Sequence, residues 1–164
     1  MYYNIKMEKN NLLKEENVDI NRFFHIGSQV SSCFFNDIFK EIINKITIKK
    51  YKEDPCYIYI NIIFNNNTAN YFNIVHGGSV ALLYENIIHM ILFYLTKNIY
   101  NTKDINIIYK RQILLKLKYT LKIKIEKIKY KTVFIHCNLY KSDIEDEESS
   151  EANIIVEKEI INKI

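Results

Sequence analysis

The 164-residue chain has little glycine and almost no proline: Gly27, Gly77, Gly78 and Pro55 are the whole set. None of them lies between residues 79 and 164, so the turns of the second half fall to Asn, Lys, Ser and Asp. Three cysteines, Cys33, Cys56 and Cys137, are an odd number and form no CxxC pair. That pattern argues against a disulfide framework and against a zinc site, and makes a reducing compartment the default. No metal and no cofactor are expected. Residues 1–21 lack the apolar core of a signal peptide, and Glu8, Glu15, Glu16 and Asp19 are unlike a mitochondrial presequence. The expected location is cytoplasmic, with a mitochondrial or other organellar one left open. The most apolar stretch, residues 80–95, is shorter than the ~20 residues a bilayer requires and carries Glu85, Asn86 and His89, so stable membrane insertion is not expected.

What remains is a soluble, globular composition, 48% hydrophobic and 26% charged, of a length that fits one domain with a real core. Ile, Lys, Asn and Tyr crowd the chain, which weakens Asn as a turn signal and makes each Gly and His more informative. The net charge of +4 is unevenly spread. Lysines dominate residues 110–131 and acids dominate 143–151. A solvated sheet face and a solvated loop are the plain readings; a phosphate-bearing ligand is the sharper one for the basic stretch. Lysines without interleaved exposed aromatics do not suggest nucleic acid.

Residues 1–27 read as a polar extension without a period, and 28–164 as the folded domain. From residue 30 to 46 the period is helical: Phe34, Phe35, Ile38, Phe39, Ile42, Ile43 and Ile46 share a stripe, with Ser31 or Ser32 as a possible cap. Ile46 and Ile48 open a strand run, and residues 57–64 form another. Residues 80–95 predict a helix that is apolar on nearly every side and must therefore be enclosed. Strand patterns follow over 105–109, 115–126, 132–140 and 152–161. In 115–126, apolar residues from Leu115 to Ile125 alternate with Lys116, Lys118, Thr120, Lys122 and Lys124, giving one apolar and one cationic face. Helices do not alternate with strands, which argues against a doubly wound parallel sheet. The pattern predicts an α+β hotdog domain: an antiparallel sheet wrapped around one long central helix, with an additional N-terminal helix.

Two of the three glycines directly follow His76, at the start of the enclosed helix. Glycine there lets backbone approach a ligand, and N–H groups at a helix start carry partial positive charge that suits a developing oxyanion. Glu85 lies two turns further on, among Val80, Leu82, Leu83, Ile87 and Ile88. A carboxylate among apolar residues is costly unless paired, and it suits general-base or nucleophilic work. His89 lies one turn beyond and is spaced to hydrogen-bond Glu85; His25 and His136 have no partners at usable spacing.

The run Asn70, Tyr71, Phe72, Asn73, Ile74, Val75, His76, Gly77, Gly78, followed by Ser79 to Glu85, resembles the active-site segment of the PaaI-like branch of hotdog thioesterases. That branch reads N-x-x-G-x-x-H-G-G with an acid nine positions after the His, which here is Glu85. Residues 102–109, from Thr102 to Tyr109, resemble its next strand. The chain departs from the pattern in having Glu85 where the branch usually has Asp (related hydroxybenzoyl-CoA thioesterases use Glu) and Asn73 where it has Gly. It also lacks the Gly and Pro that punctuate the later strands. The resemblance covers element order from about residue 30 onward, and its sharp motif only 70–85.

The resemblance implies an acyl-CoA thioesterase, of fatty-acyl or aryl substrates, with a place in lipid metabolism. It implies that Asn70 orients water or thioester, that His76 and the Gly77 N–H belong to the catalytic segment, that Gly77 polarises the carbonyl, and that Glu85 is base or nucleophile with Thr102 as helper. Gly78, Tyr109, Lys110, Arg111, Lys129, Lys131 and Thr132 fall at positions near the CoA. A homodimer or a dimer of dimers (a tetramer) is implied, with Asn70 and Gly77 of one chain facing Glu85 and Thr102 of the other. The competing readings are a hotdog hydratase or dehydratase and a non-catalytic acyl-CoA binding module.

Overall fold

Apolar side chains at every second position build most of this protein. In the computed structural model, residues 12–28, 33–51, 56–129, 131–142 and 147–159 are described. The elements run β1 (Leu12–Asn17), α1 (Ile20–Gly27), α2 (Cys33–Ile42), β2 (Ile43–Tyr51), β3 (Cys56–Ile63), a 3-10 turn (Asn66–Thr68), α3 (Gly77–Thr96), β4 (Tyr100–Tyr109), β5 (Lys118–Lys129), β6 (Thr132–Lys141) and β7 (Glu148–Lys158). The seven strands form one antiparallel sheet in the order β1-β2-β3-β5-β6-β7-β4. On β5, Tyr119, Leu121, Ile123 and Ile125 are buried while Thr120, Lys122 and Lys124 between them stay partly in water, as the alternation predicts. Ile58, Ile60 and Ile62 of β3 continue that layer with no exposure.

The inner face of the sheet wraps α3. Val80, Leu83, Tyr84, Ile87, Ile88, Met90, Ile91 and Leu92 of this helix are buried. At 20 residues it is long and apolar enough to cross a membrane, yet its buried faces pack inside the protein. This is the hotdog arrangement expected from the sequence. The helix ends on Lys97 in the left-handed conformation, φ 59°, where glycine is the usual residue. Lys116 (φ 62°) and Asn73 (φ 57°) take the same conformation, so a glycine-poor chain makes its sharp turns with other residues.

Three expectations change. Residues 12–27, read as part of an aperiodic polar extension, form β1 and α1: β1 pairs with β2, and Val18, Phe23 and Phe24 enter the core. Two short elements, of six and eight residues, are too brief to show a period, which is why pattern reading missed them. Gly27 lies against Met90 of α3, where an added Cβ would come within 2.2 Å of Met90 Cε. The helix predicted to run to residue 46 stops at Ile42, because Ile43 and Ile46 are claimed by β3, opposite Ile62 and Ile60. Ile42, Ile43 and Ile46 fit both periods, and β-branched residues favour the sheet. The proposed caps Ser31 and Ser32 lie outside the described residues. Finally, the acidic stretch is only partly loop, since Glu148 and Glu151 belong to β7.

Candidate active site

The segment before α3 is a loop tied to itself. Asn70 Oδ1 accepts from the N–H groups of Phe72 (2.9 Å) and Ile74 (3.3 Å), and the Asn73 N–H returns to the Asn70 carbonyl (3.1 Å). Asn73 closes the turn in the left-handed region, standing in for glycine. Fixing Oδ1 in this way leaves the Asn70 Nδ2 amide without an acceptor among the described residues. The loop then hands the chain to α3 through His76, whose N–H donates to the Thr68 carbonyl at 2.8 Å.

His76 is the N-cap of α3. Its backbone is extended, and its Nδ1 accepts the Gly78 N–H at 2.9 Å. A Cβ on Gly78 would lie 2.8 Å from that Nδ1, so the second glycine is small to let the cap form. The Gly77 N–H takes no acceptor among the described residues, and it opens a 20-residue helix whose dipole makes that end positive. Tyr109 lies over Gly77, its hydroxyl donating to the Gly77 carbonyl at 2.7 Å. Partial burial raises the Tyr109 phenol above its ordinary pKa and keeps it a donor. Asn70, Gly77 and Tyr109 line a cavity of about 370 Å³ with Ile74, Val80 and Ile113.

Glu85 is half-buried and does not line this cavity. It lies eight positions after Gly77 on the helix, about 12 Å along the axis. It belongs to a second group. His89, expected to bond Glu85, instead hydrogen-bonds Thr102 of β4, Nε2 to Oγ1 at 2.9 Å. Burial holds the His89 imidazole below its ordinary pKa, with the Glu85 charge partly opposing. Thr102 and Tyr109 are seven positions apart, about 23 Å along a strand. An odd separation would put them on opposite faces of a regular strand. The register with β7 slips between Thr102 and Asp104, leaving Lys103 as a bulge. The bulge restores the common face: Thr102 reaches His89 near the middle of α3, and Tyr109 reaches Gly77 at its start. The predicted catalytic residues therefore fall into two separate groups in one chain, Asn70, His76 and Gly77 with Tyr109, and Glu85 and Thr102 on either side of His89.

The basic residues divide likewise. Lys110 lines the cavity but is bound to Glu148 (2.7 Å) and Glu151 (2.5 Å), and Arg111 to Glu147 (3.5 Å). Although burial alone would raise it, hydrogen bonds from Lys110 and Asn138 draw the Glu148 carboxyl below its usual range. Two cations facing three carboxylates do not make a phosphate cradle, and the acidic stretch that supplies them was not readable as their partner. Lys131 is exposed in the β5–β6 turn and Thr132 opens β6 opposite Glu157, at the Thr102 end of the sheet; Lys129 pairs with Thr132 at the end of β5. Gly78 is exposed with its N–H committed to His76.

No family model and no curated protein matches this sequence. Solved structures do match its fold, and the neighbours are thioesterase-superfamily proteins. The zebrafish thioesterase superfamily member 2 is similar over 86% of this chain and 98% of its own, at 15% identity and TM-score 0.66. A mutant thioesterase from Pseudomonas aeruginosa is similar over 86% and 94%, at 14% identity and TM-score 0.64. A hypothetical thioesterase protein from Streptococcus pneumoniae, solved with coenzyme A, is similar over 68% and 86%, at 17% identity and TM-score 0.57. The likeness establishes the hotdog fold.

Proposed function

We propose that this protein hydrolyses acyl-CoA thioesters, as a two-fold dimer whose active sites each join one half-site from either chain. The observation that carries the reading is the free Gly77 N–H at the start of α3, in a cavity it shares with Asn70 and Tyr109. A thioester carbonyl placed there would put its developing negative charge on the Gly77 N–H and the helix dipole, an interaction whose loss typically costs ~100-fold or more in rate. Asn70 Nδ2 supplies a second donor to the thioester or to the attacking water. His76 serves by holding the helix start. Glu85 activates the water or attacks directly, Thr102 steadies it, and the CoA thiolate leaves.

The roughly 12 Å between Gly77 and Glu85 on one helix is too long for one reaction centre, which favours completion by a second chain. β4 is a sheet edge, with Ile105, Ile108 and Tyr109 exposed, and Leu82 is exposed on α3. Antiparallel pairing of β4 with its copy would bring the Thr102 end of one chain to the Tyr109 end of the other. Tyr71 and Phe72, 95% and 78% exposed beside Asn70, would gain cover from the partner. The same pairing would bring Lys131 and Thr132 toward the opposite cavity, where they would face the CoA phosphates that Lys110 and Arg111 are too well paired to hold alone. The coenzyme A solved with the Streptococcus pneumoniae thioesterase supports acyl-CoA as the substrate class for this reading; a place in lipid metabolism and a tetramer would follow only from the choice of substrate and from a second interface.

Hydrolysis is measured across thioesters from acetyl- to palmitoyl-CoA, with aryl-CoAs included, on wild type and Glu85→Gln. Turnover on part of the panel, lost at least ~100-fold in a folded Glu85→Gln, is the expected result. CoA binding without turnover on any thioester would replace the enzyme reading with that of an acyl-CoA binding module.

A further inference from the structure

His89 is neither a cap nor a surface residue, and the mechanism above does not use it. Its ring is half-buried on the face of α3 that carries Glu85, one turn earlier, and its Nε2 lies 2.9 Å from Thr102 Oγ1. The Lys103 bulge turns Thr102 into this contact. Resting on the thioesterase reading of Glu85 and Thr102, we propose that His89 is a positioning residue: its Nε2–H donates to Thr102 Oγ1, so that the threonine proton stays available to steady Glu85.

The direction of this hydrogen bond decides what Thr102 can do. A threonine hydroxyl has one proton and two lone pairs. If Nε2 accepted, Thr102 would spend its proton on His89 and could offer the reacting groups only a lone pair. If Nε2 donates, the Thr102 proton is directed elsewhere. An ionised Glu85 only accepts, and the Glu85 charge acts on the His89 ring across one helical turn. Dipoles beside an anion settle with their proton ends toward it, which favours the order His89 to Thr102 to the reacting centre. Among the described residues, two groups meet His89 from the elements around it, Glu85 on its own helix and Thr102 on β4, and Glu85 is the charged one. Burial disfavours the imidazolium, so the donor is the neutral ring in its Nε2–H tautomer.

Two measurements test this, one without kinetics. Nitrogen-15 NMR of histidine-labelled protein, with the His89 signals assigned by their loss in His89→Gln, reads the tautomer and the titration midpoint. The expected spectrum shows a protonated Nε2 and a bare Nδ1, with a midpoint below the ordinary 6.5, and relaxes toward a tautomer mixture in Thr102→Val. A bare Nε2 with a protonated Nδ1 overturns the proposal. In the kinetic arm, His89→Leu lowers kcat about tenfold or more with KM within about twofold, and His89→Gln, whose amide N–H donates at similar reach, restores most of it. A folded His89→Leu with unchanged kcat also overturns it. If His89→Leu does not fold, the NMR arm on wild type still decides. A wild type with no thioester turnover refutes the thioesterase reading instead, and the two failures are thereby told apart.

Discussion

Replacing His76 with alanine removes the acceptor that caps α3 and leaves the Gly78 N–H to water. Loss of a helix cap costs about 0.5–2 kcal/mol. Both His76 and Gly78 are exposed, so water replaces the lost 2.9 Å bond well and the cost falls at the low end, about 0.5–1 kcal/mol. For a chain of this length that is a fall in Tm of about 1–4 °C. His76→Asn is the informative partner, because asparagine caps as well as any residue but cannot carry a proton as imidazole does. Scanning calorimetry of His76→Asn is expected to match wild type within about 1 °C, with thioester hydrolysis kept within about threefold. His76→Asn that folds like wild type but loses ~100-fold or more in kcat would refute the assignment and put the imidazole itself into the chemistry.

Lys116→Gly relieves a left-handed residue at an exposed turn and is expected to raise stability by about 0.5–1 kcal/mol by thermal or urea unfolding, whereas an unchanged or lower midpoint would mean the conformation is not strained. Replacing Lys131 with alanine is expected to raise KM for acyl-CoA several-fold and leave KM for the matching pantetheine thioester almost unchanged, while Lys110→Ala, whose cation already faces Glu148 and Glu151, has the smaller effect on CoA; equal losses on both substrates would remove Lys131 from the nucleotide end.

The central helix and the strands of the second half were legible because their signals are long and of one period. Alternation over β5 survives into the structure almost residue by residue. Asn73 in place of glycine was also readable, since few other residues enter the left-handed region at small cost. The limits are equally physical. β1 and α1 are shorter than the window that makes a period visible, and Ile42 to Ile46 satisfied helix and strand together. The Lys103 bulge leaves no mark in the sequence, because it is defined by what β7 offers opposite it. For that reason the bond from Thr102 to His89 could not be anticipated, nor could the pairing of Lys110 with acids some forty residues away. Motif spacing nominated candidate site residues without revealing that one chain holds them in two groups.

The joining of those two groups across a two-fold axis is tested most directly by complementation. Asn70→Ala and Glu85→Ala each disable one half-site, and each homodimer is expected to be inactive. When the two proteins are mixed and allowed to exchange subunits, about half of the dimers are mixed, and each of these holds one doubly defective site and one intact site. Hydrolysis recovering to roughly a quarter of the wild-type rate per site is the predicted result. No recovery, with exchange demonstrated by native mass spectrometry of differently labelled subunits, would mean that each site is completed within a single chain.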